Sequence, residues 1–268
     1  MEFALVASRK DLAGMNIREN LLNNYPFKDK DNHQELNNIK VYTIDEDSIN
    51  ADNIEVEADV IIFMTRHRSA AGTPSLSVHI PGNWGKAELG GKENSLCIAP
   101  ASLLKEMYIE LSKNTEFEGE ITLEATHHGP FLNKPAMFIE IGSSEEQWAN
   151  KSYGKMIADT IMRTLSKPIK TYKTVIALGG GHYPREFNKV LLRTDIAIGH
   201  ICPKYALESL TESMLKQAIE KNVEEIDTVL LDWKGLGEHK ERITEMIEKL
   251  GLKSERLQTI LKNYINQA

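Results

Sequence analysis

The chain has 268 residues, 41% hydrophobic and 26% charged, the composition of a folded protein able to bury a sizeable core without staples. Its 32 basic residues against 39 acidic ones leave a formal charge of −7, which excludes a general nucleic-acid coat, since such proteins grip phosphate with an excess of Lys and Arg. Two cysteines, Cys97 and Cys202, exclude a disulfide framework and predict a reduced, intracellular setting.

In chain order, the apolar run at residues 3–7 predicts a buried strand, 8–14 a loop, and 15–22 a helix. The N-terminal stretch lacks the basic region, long apolar region and cleavage site of a secretion signal, and no run approaches the roughly 18 apolar residues of a membrane span, so a cytoplasmic protein with no membrane partner is expected. Residues 40–44 predict a second strand, followed by an acidic connection over 45–59 with a short strand at 54–56. Residues 59–65 form a continuous β-branched run that predicts a strand buried on both faces. The polar, glycine-rich stretch 66–93 then offers a strand only at 76–80. A stretch this long and irregular is expected to be functional.

Residues 100–113 place Leu103, Leu104, Met107 and Leu111 on one helical face. Strands are expected at 120–126 and 136–141. Ser143 or Ser144 caps a helix that begins at Glu145 and ends before Pro168. Residues 174–178 and 194–198 predict strands running into Gly179-Gly180-Gly181 and Gly199-His200. A helix over 207–221, a strand at 228–231, a helix over 238–250 and a final helix carrying Leu257, Ile260, Leu261, Tyr264 and Ile265 complete the chain. Interleaved strands and helices define an α/β fold, and the alternating strands favour a three-layer α/β/α arrangement with a mixed sheet. A single unit over 1–268 is expected, with a soft lobe boundary near 166–173.

Chemistry concentrates in four blocks at predicted strand ends: residues 78–85, 125–130, 177–184 and 198–203. They hold His79, His127, His128, His182 and His200, five of the eight histidines, and His67 lies in Arg66-His67-Arg68-Ser69 beyond another strand. Sites in open α/β sheets gather where loops converge beyond strand ends. Metal binding and direct histidine acid–base catalysis both fit. The chain has no HExxH, paired CxxC, G-x-S-x-G or P-loop pattern, so ligands would have to come from separate strand ends. In strand geometry His127 and His128 face opposite ways and share a metal only if the chain turns there. Cys202 reads as a packed thiol. The triple glycine offers backbone N–H groups to an oxyanion or phosphate, or is a plain turn.

Taken in order, Arg66-His67-Arg68-Ser69, His79 with Gly82-Asn83-Trp84-Gly85, Thr126-His127-His128-Gly129-Pro130, Gly179-Gly180-Gly181-His182-Tyr183-Pro184 and Ile198-Gly199-His200 closely resemble the archaeal and plant type of D-aminoacyl-tRNA deacylase, also called D-tyrosyl-tRNA deacylase. The resemblance runs nearly the whole chain, through Leu231-Asp232-Trp233-Lys234-Gly235-Leu236. It implies a hydrolase that cleaves the ester between a D-amino acid and the 3′ end of tRNA, zinc dependence, and a fold related to the phosphorylase and peptidyl-tRNA hydrolase group. The partner is then a tRNA acceptor end, with a monomer favoured. Catalytic work is expected from His127, His128 and His182, and metal ligation from His127, His182 and His200. Substrate contacts are expected from Arg66, His67, Arg68, His79, Asn83, Trp84, Gly179, Gly180 and Gly181, with the arginines meeting terminal phosphates and Trp84 stacking on the terminal adenine. Lys167, Lys170 and Lys173 form a small basic cluster facing solvent or the acceptor stem. A metallohydrolase or nucleoside phosphorylase of related fold, and a non-catalytic tRNA-binding module, are the competing readings. The histidine-rich strand ends count against the last.

Overall fold

The computed structural model describes residues 1–70 and 72–265. Along the chain come β1 (Phe3–Ser8), α1 (Leu12–Asn24), β2 (Lys28–Asp29), β3 (Gln34–Leu36), β4 (Ile39–Ile44), β5 (Val60–Arg68), β6 (Ser75–His79), β7 (Gly82–Asn83) and β8 (Ser95–Leu96). Then follow α2 (Ala101–Leu111), β9 (Glu120–Leu123), β10 (Ala136–Ser143), α3 (Glu145–Ala149), α4 (Lys151–Leu165), β11 (Lys173–Leu178), α5 (Arg185–Arg193) and β12 (Ile196–Cys202). The last elements are α6 (Glu212–Glu220), β13 (Ile226–Leu231), α7 (Lys240–Lys249), β14 (Lys253–Arg256) and α8 (Leu257–Ile265). No helix among the described residues is long and apolar enough to cross a membrane.

Eight strands form one mixed sheet in the order β2-β3-β4-β1-β5-β10-β6-β9, and helices flank it as expected of the α/β class. Four more form a wholly parallel sheet, β12-β11-β13-β14, which begins at Lys173, after the segment 166–172. The alternation of each strand assigns its residues to two layers. Phe3, Leu5 and Ala7 of β1 and Val60, Ile62 and Met64 of β5 face the main core with α1, α2 and α4. Their neighbours Ala4, Val6, Ile61 and Phe63 face the other way, where Ala51, Val56, Cys97 and Leu132 from irregular segments cover them. The second sheet divides likewise: Val175 and Ala177 join the main core, while Ile176 and Leu178 pack with Leu215, Ile243 and Ile247 of α6 and α7.

Several boundaries differ from the sequence pattern for identifiable reasons. Helix α1 starts at Leu12 because Asp11 caps it, accepting from the Gly14 N–H at 2.9 Å. Gly14 lets that first turn lie against β5, since a Cβ there would stand 2.4 Å from the Met64 carbonyl oxygen. The expected strand at 54–56 is absent, and the polar pairs β2 and β3 carry no apolar signal. The helix from Glu145 breaks at Asn150, whose side chain caps α4. The helix expected over 207–221 is a short 3-10 turn (Lys204–Ser209) followed by α6. Strand β14 (Lys-Ser-Glu-Arg) is too polar to read as a strand. The expected apolar Ile265 has a side chain outside the described residues.

Lys105 of α2 ties the two sheets' helical layer together. Its fully buried ammonium donates to the carbonyls of Leu191, Thr194 and Ile196, satisfying the end of α5 and the start of β12. Replacing it by Met leaves those carbonyls without a donor, so Lys105→Met is expected to lower stability by about 2–3 kcal/mol in urea unfolding at pH 7. An unchanged midpoint would show that the carbonyls find other donors.

Candidate active site

The site lies at one end of the large sheet, on the face that irregular segments cover. Strand β5 runs past its apolar stretch because Arg66, His67 and Arg68 still pair in register with Ile141, Gly142 and Ser143 of β10. The segment 66–68 is therefore strand, not the loop its polarity predicts. Alternation then puts Thr65 and His67 on the face of Ile61 and Phe63, and sends Arg66 to the opposite face. Phe138 and Glu140 of β10 share that first face, and His79 of β6 stands opposite Phe138 in antiparallel register. The apolar row is a stack, Phe63 on Phe138 at 4.8 Å and Phe138 on His79 at 5.0 Å between centroids. Beyond it the same face turns polar.

Strand β9 ends at Leu123, three residues earlier than its alternating pattern predicts, and Glu124 continues onto the site's face. The backbone turns at His128, which adopts φ 48°. That turn brings both adjacent histidines to the site, their ring centroids 4.2 Å apart. Second-sheet residues reach in from the loop after β11. The Ala125 N–H donates to the His182 carbonyl at 2.9 Å, and the His182 ring packs 4.6 Å from that of His127.

Seven side chains thus converge: His67, His79, Glu124, His127, His128, Glu140 and His182. His182 Nε2 lies 3.0 Å from Glu124 Oε2, His127 Nε2 3.6 Å from the same oxygen, and His67 Nδ1 3.1 Å from Glu124 Oε1. Glu140 faces His67 Nδ1 at 3.5 Å and His79 Nε2 at 3.6 Å, and accepts from the Thr65 hydroxyl at 2.7 Å. Tyr183 adds a hydroxyl against His67 Nε2. These contacts are close but poorly directed: both oxygens of Glu124 and Nε2 of His79 are buried without an aligned hydrogen bond. Burying a carboxylate that way costs several kcal/mol unless a cation compensates.

Burial opposes charge throughout the cluster, and the pairing decides where charge survives. His182 and His67 hold Glu124 well below the ordinary carboxylate range despite its burial. Burial and the Glu124 charge both push Glu140 up, yet His67 and His79 draw it down to about 2. Burial pulls His67 down, but the two carboxylates raise it to about 10. Against its own burial, Glu140 raises His79 as well. Burial, with the charges of His128 and His79, keeps His127 well below the usual histidine range, and burial with His79 brings His128 to about 4.

Among the described residues three groups of three have ligand atoms within 4.8 Å of one another: His79, His127 and His128; His67, Glu124 and His182; and His79, Glu124 and Glu140. In the first group each Nδ1 faces a backbone carbonyl, of Ile80 at 3.3 Å, Ala125 at 2.8 Å and Gly129 at 2.6 Å, which turns each Nε2 into the cluster, where that of His79 faces Glu140 and that of His127 faces Glu124. Imidazole nitrogens with nearby carboxylates are a donor set suited to zinc. Beside them opens a cavity of about 340 Å³ bounded by Asp11, Asp47, Arg66 and Arg68.

The sequence-expected residues divide on this geometry. His67, His79, His127, His128 and His182 come together. His200 does not: β12 extends to Cys202, so His200 lies inside a strand, fully buried, with Nε2 at 2.9 Å from the Lys221 carbonyl and 3.0 Å from that of Cys97. It holds backbone together and stands outside all three ligand groups. Trp84 is buried as well, its indole N–H donating to the Ile201 carbonyl, so it has no free face for a base. Asn83 donates to the carbonyls of Gly90 and Lys92 and pins the loop beside the site. In the glycine turn, the Gly179 N–H is taken by the Cys202 carbonyl and the Gly180 carbonyl by the Lys204 N–H. Arg66 is committed to Asp11 and Asp47, whereas Arg68 is exposed. Lys170 pairs with Asp195 and Lys173 with Glu255. Glu124 and Glu140 were missed. Glu140 carried a signal, a lone carboxylate inside an apolar strand, because such a group is buried only when paired. Glu124 resembled the solvent face of an alternating strand.

A mixed α/β fold with a buried histidine–glutamate cluster opening on a cavity defines a protein of the metal-binding or acid–base hydrolytic class. The profile of the family described as D-aminoacyl-tRNA deacylase matches residues 54–255, and the chain belongs to that family. It is 38% identical over 264 residues to the D-aminoacyl-tRNA deacylase of Pyrococcus furiosus, covering 92% of this chain and 97% of that one. Against the protein of the same name from Methanocaldococcus jannaschii it is 36% identical, over 96% and 100% of the two chains. A crystal structure titled a conserved protein of unknown function superposes with a TM-score of 0.90 at 29% identity, covering 97% of each chain.

The structural role of His200 has a pH signature. Burial lowers it from 6.5 to about 4 in the folded chain, while in the unfolded chain it protonates near 6.5. Its contribution to stability is full above pH 6.5 and is lost as pH falls towards 4. His200→Gln is expected to cost about 2 kcal/mol at pH 7. The gap from the parent chain should shrink in urea unfolding at acid pH, and a gap that does not change with pH would contradict this account.

Proposed function

We propose that the chain hydrolyses the ester joining a D-amino acid to the 3′ end of tRNA, releasing both. The observation that carries this reading is the convergence of five imidazoles on two buried carboxylates beside an open cavity. An ester hydrolase needs a water made nucleophilic and a proton for the leaving oxygen, and this cluster has groups for both. Family membership and the names of the relatives support the substrate class.

Zinc held by Nε2 of His79, His127 and His128 would lend Lewis acidity and a water whose pKa falls towards roughly 7. The remaining residues have distinct tasks. Glu124, kept ionised, takes the proton of the attacking water at Oε2. His182, half-buried and bordering the cavity, donates from Nε2 to the leaving ribose oxygen as the carbonyl carbon gains the water oxygen and the ester C–O bond breaks. Glu140, fixed by Thr65, orients His67. Arg68, at the cavity rim, meets a phosphate of the acceptor end.

Purified protein is expected to release D-tyrosine from D-tyrosyl-tRNA and to spare L-tyrosyl-tRNA. No release with zinc supplied would overturn the reading. Glu124→Gln and His182→Ala should each lower kcat by about 10²–10⁴ with little change in KM. Chelation is expected to abolish turnover and zinc to restore it. Full activity in exhaustively metal-free protein would assign the work to the histidines and Glu124 alone.

A further inference from the structure

A second cavity, of about 520 Å³, adjoins the first at the histidines. His127, His128, His182 and Leu89 border both cavities, so the two chambers meet at the cluster. The chambers differ in chemistry. The first is walled by Asp11, Asp47, Arg66 and Arg68. The second is bordered by Trp84, Tyr205, Leu89 and the exposed Lys86.

Of the rings that line either chamber, Phe138 is fully buried in its stack and Trp84 is 3% exposed, while Tyr205 is 60% exposed. Leu89, 58% exposed, faces the same chamber. Tyr205 and Leu89 thus present two large side chains to water beside the cluster. Tyr205 is also not loose. It sits on the 3-10 turn Lys204–Ser209, whose Lys204 N–H donates to the Gly180 carbonyl at 2.9 Å, and its hydroxyl stands 3.3 Å from His182 Nδ1. A rigid, exposed aromatic face in hydrogen-bond range of the proton donor is what a flat base attached to the leaving oxygen would use.

We infer that the second chamber receives the purine base of the substrate's terminal nucleotide, stacked on Tyr205 with Leu89 beside it. This inference rests on the proposed deacylase activity and extends it. The ester then lies at the histidines where the two chambers meet, and the first chamber takes the aminoacyl group. Tyr205 has two separable tasks: its ring binds the base, and its hydroxyl positions His182. Trp84, expected to stack, instead forms the chamber's buried wall.

The test compares D-tyrosyl-tRNA with D-tyrosine ethyl ester, which has the same scissile bond and no base. Tyr205→Ala should lose about tenfold more kcat/KM on the tRNA ester than on the ethyl ester, the size expected for one lost base–aromatic stack. Tyr205→Phe should keep the parent ratio between the two substrates, because it keeps the ring. Equal losses on both substrates in Tyr205→Ala would confine the residue to positioning His182 and overturn the inference. Binding of AMP, followed by NMR titration, gives an arm independent of turnover. Tyr205→Ala should weaken it about tenfold, and unchanged affinity would overturn the base site. If the parent protein hydrolyses neither ester, the deacylase reading fails, and the AMP titration alone decides whether Tyr205 receives a purine.

Discussion

Two carboxylates buried on one face of a β-sheet set the terms for the rest of this molecule. Glu124 and Glu140 are almost wholly withdrawn from water, and neither has enough directed donors to stay charged unaided. Positive charge has to be brought to them, and imidazole is the group that the fold supplies. His67 spans both carboxylates, His79 faces Glu140, and His182 and His127 face Glu124. The arrangement costs stability, which a core of 42 buried apolar residues bridging both sheets can offset. In return the carboxylates remain ionised at neutral pH while His127 and His128 remain neutral. Acceptors of protons, donors of protons and bare ring nitrogens thus coexist within a few ångströms.

Much of the architecture is legible in the sequence. The alternating and β-branched runs at 3–7, 40–44, 59–65, 136–141, 174–178 and 228–231 and the first four residues of 120–126 coincide with strands, because burial on a pleated sheet imposes that pattern directly. Polar strands were invisible for the same reason. Strands β2, β3 and β14 and the last residues of β5 are held by backbone pairing, which leaves no mark on hydrophobicity. The division into two sheets was not legible, since strand order is a tertiary property.

The site was half legible. Histidines beside strand ends pointed to the region where five of them converge, but the reading depended on where each strand stops. His67 was expected on a loop and sits on a strand. His200 was expected beyond a strand and sits within one, so its imidazole was spent on the carbonyls of Cys97 and Lys221. His127 and His128 were expected to diverge and instead converge, because a left-handed residue turns the chain between them and Gly129. Identity of residue type told which groups were chemically able. Only the boundaries told which were free.

One feature of the chain's order has a consequence for its biosynthesis. Six of the seven clustered side chains belong to the large sheet and its turns, and all six have been translated by the time β10 is complete at Ser143. His182 comes only with the second sheet, and the pairing of its carbonyl with Ala125 is a contact between the two. His182 is therefore the last of the seven to be synthesised. The full set of seven exists only where the two sheets meet, so the cluster depends on the contact between them.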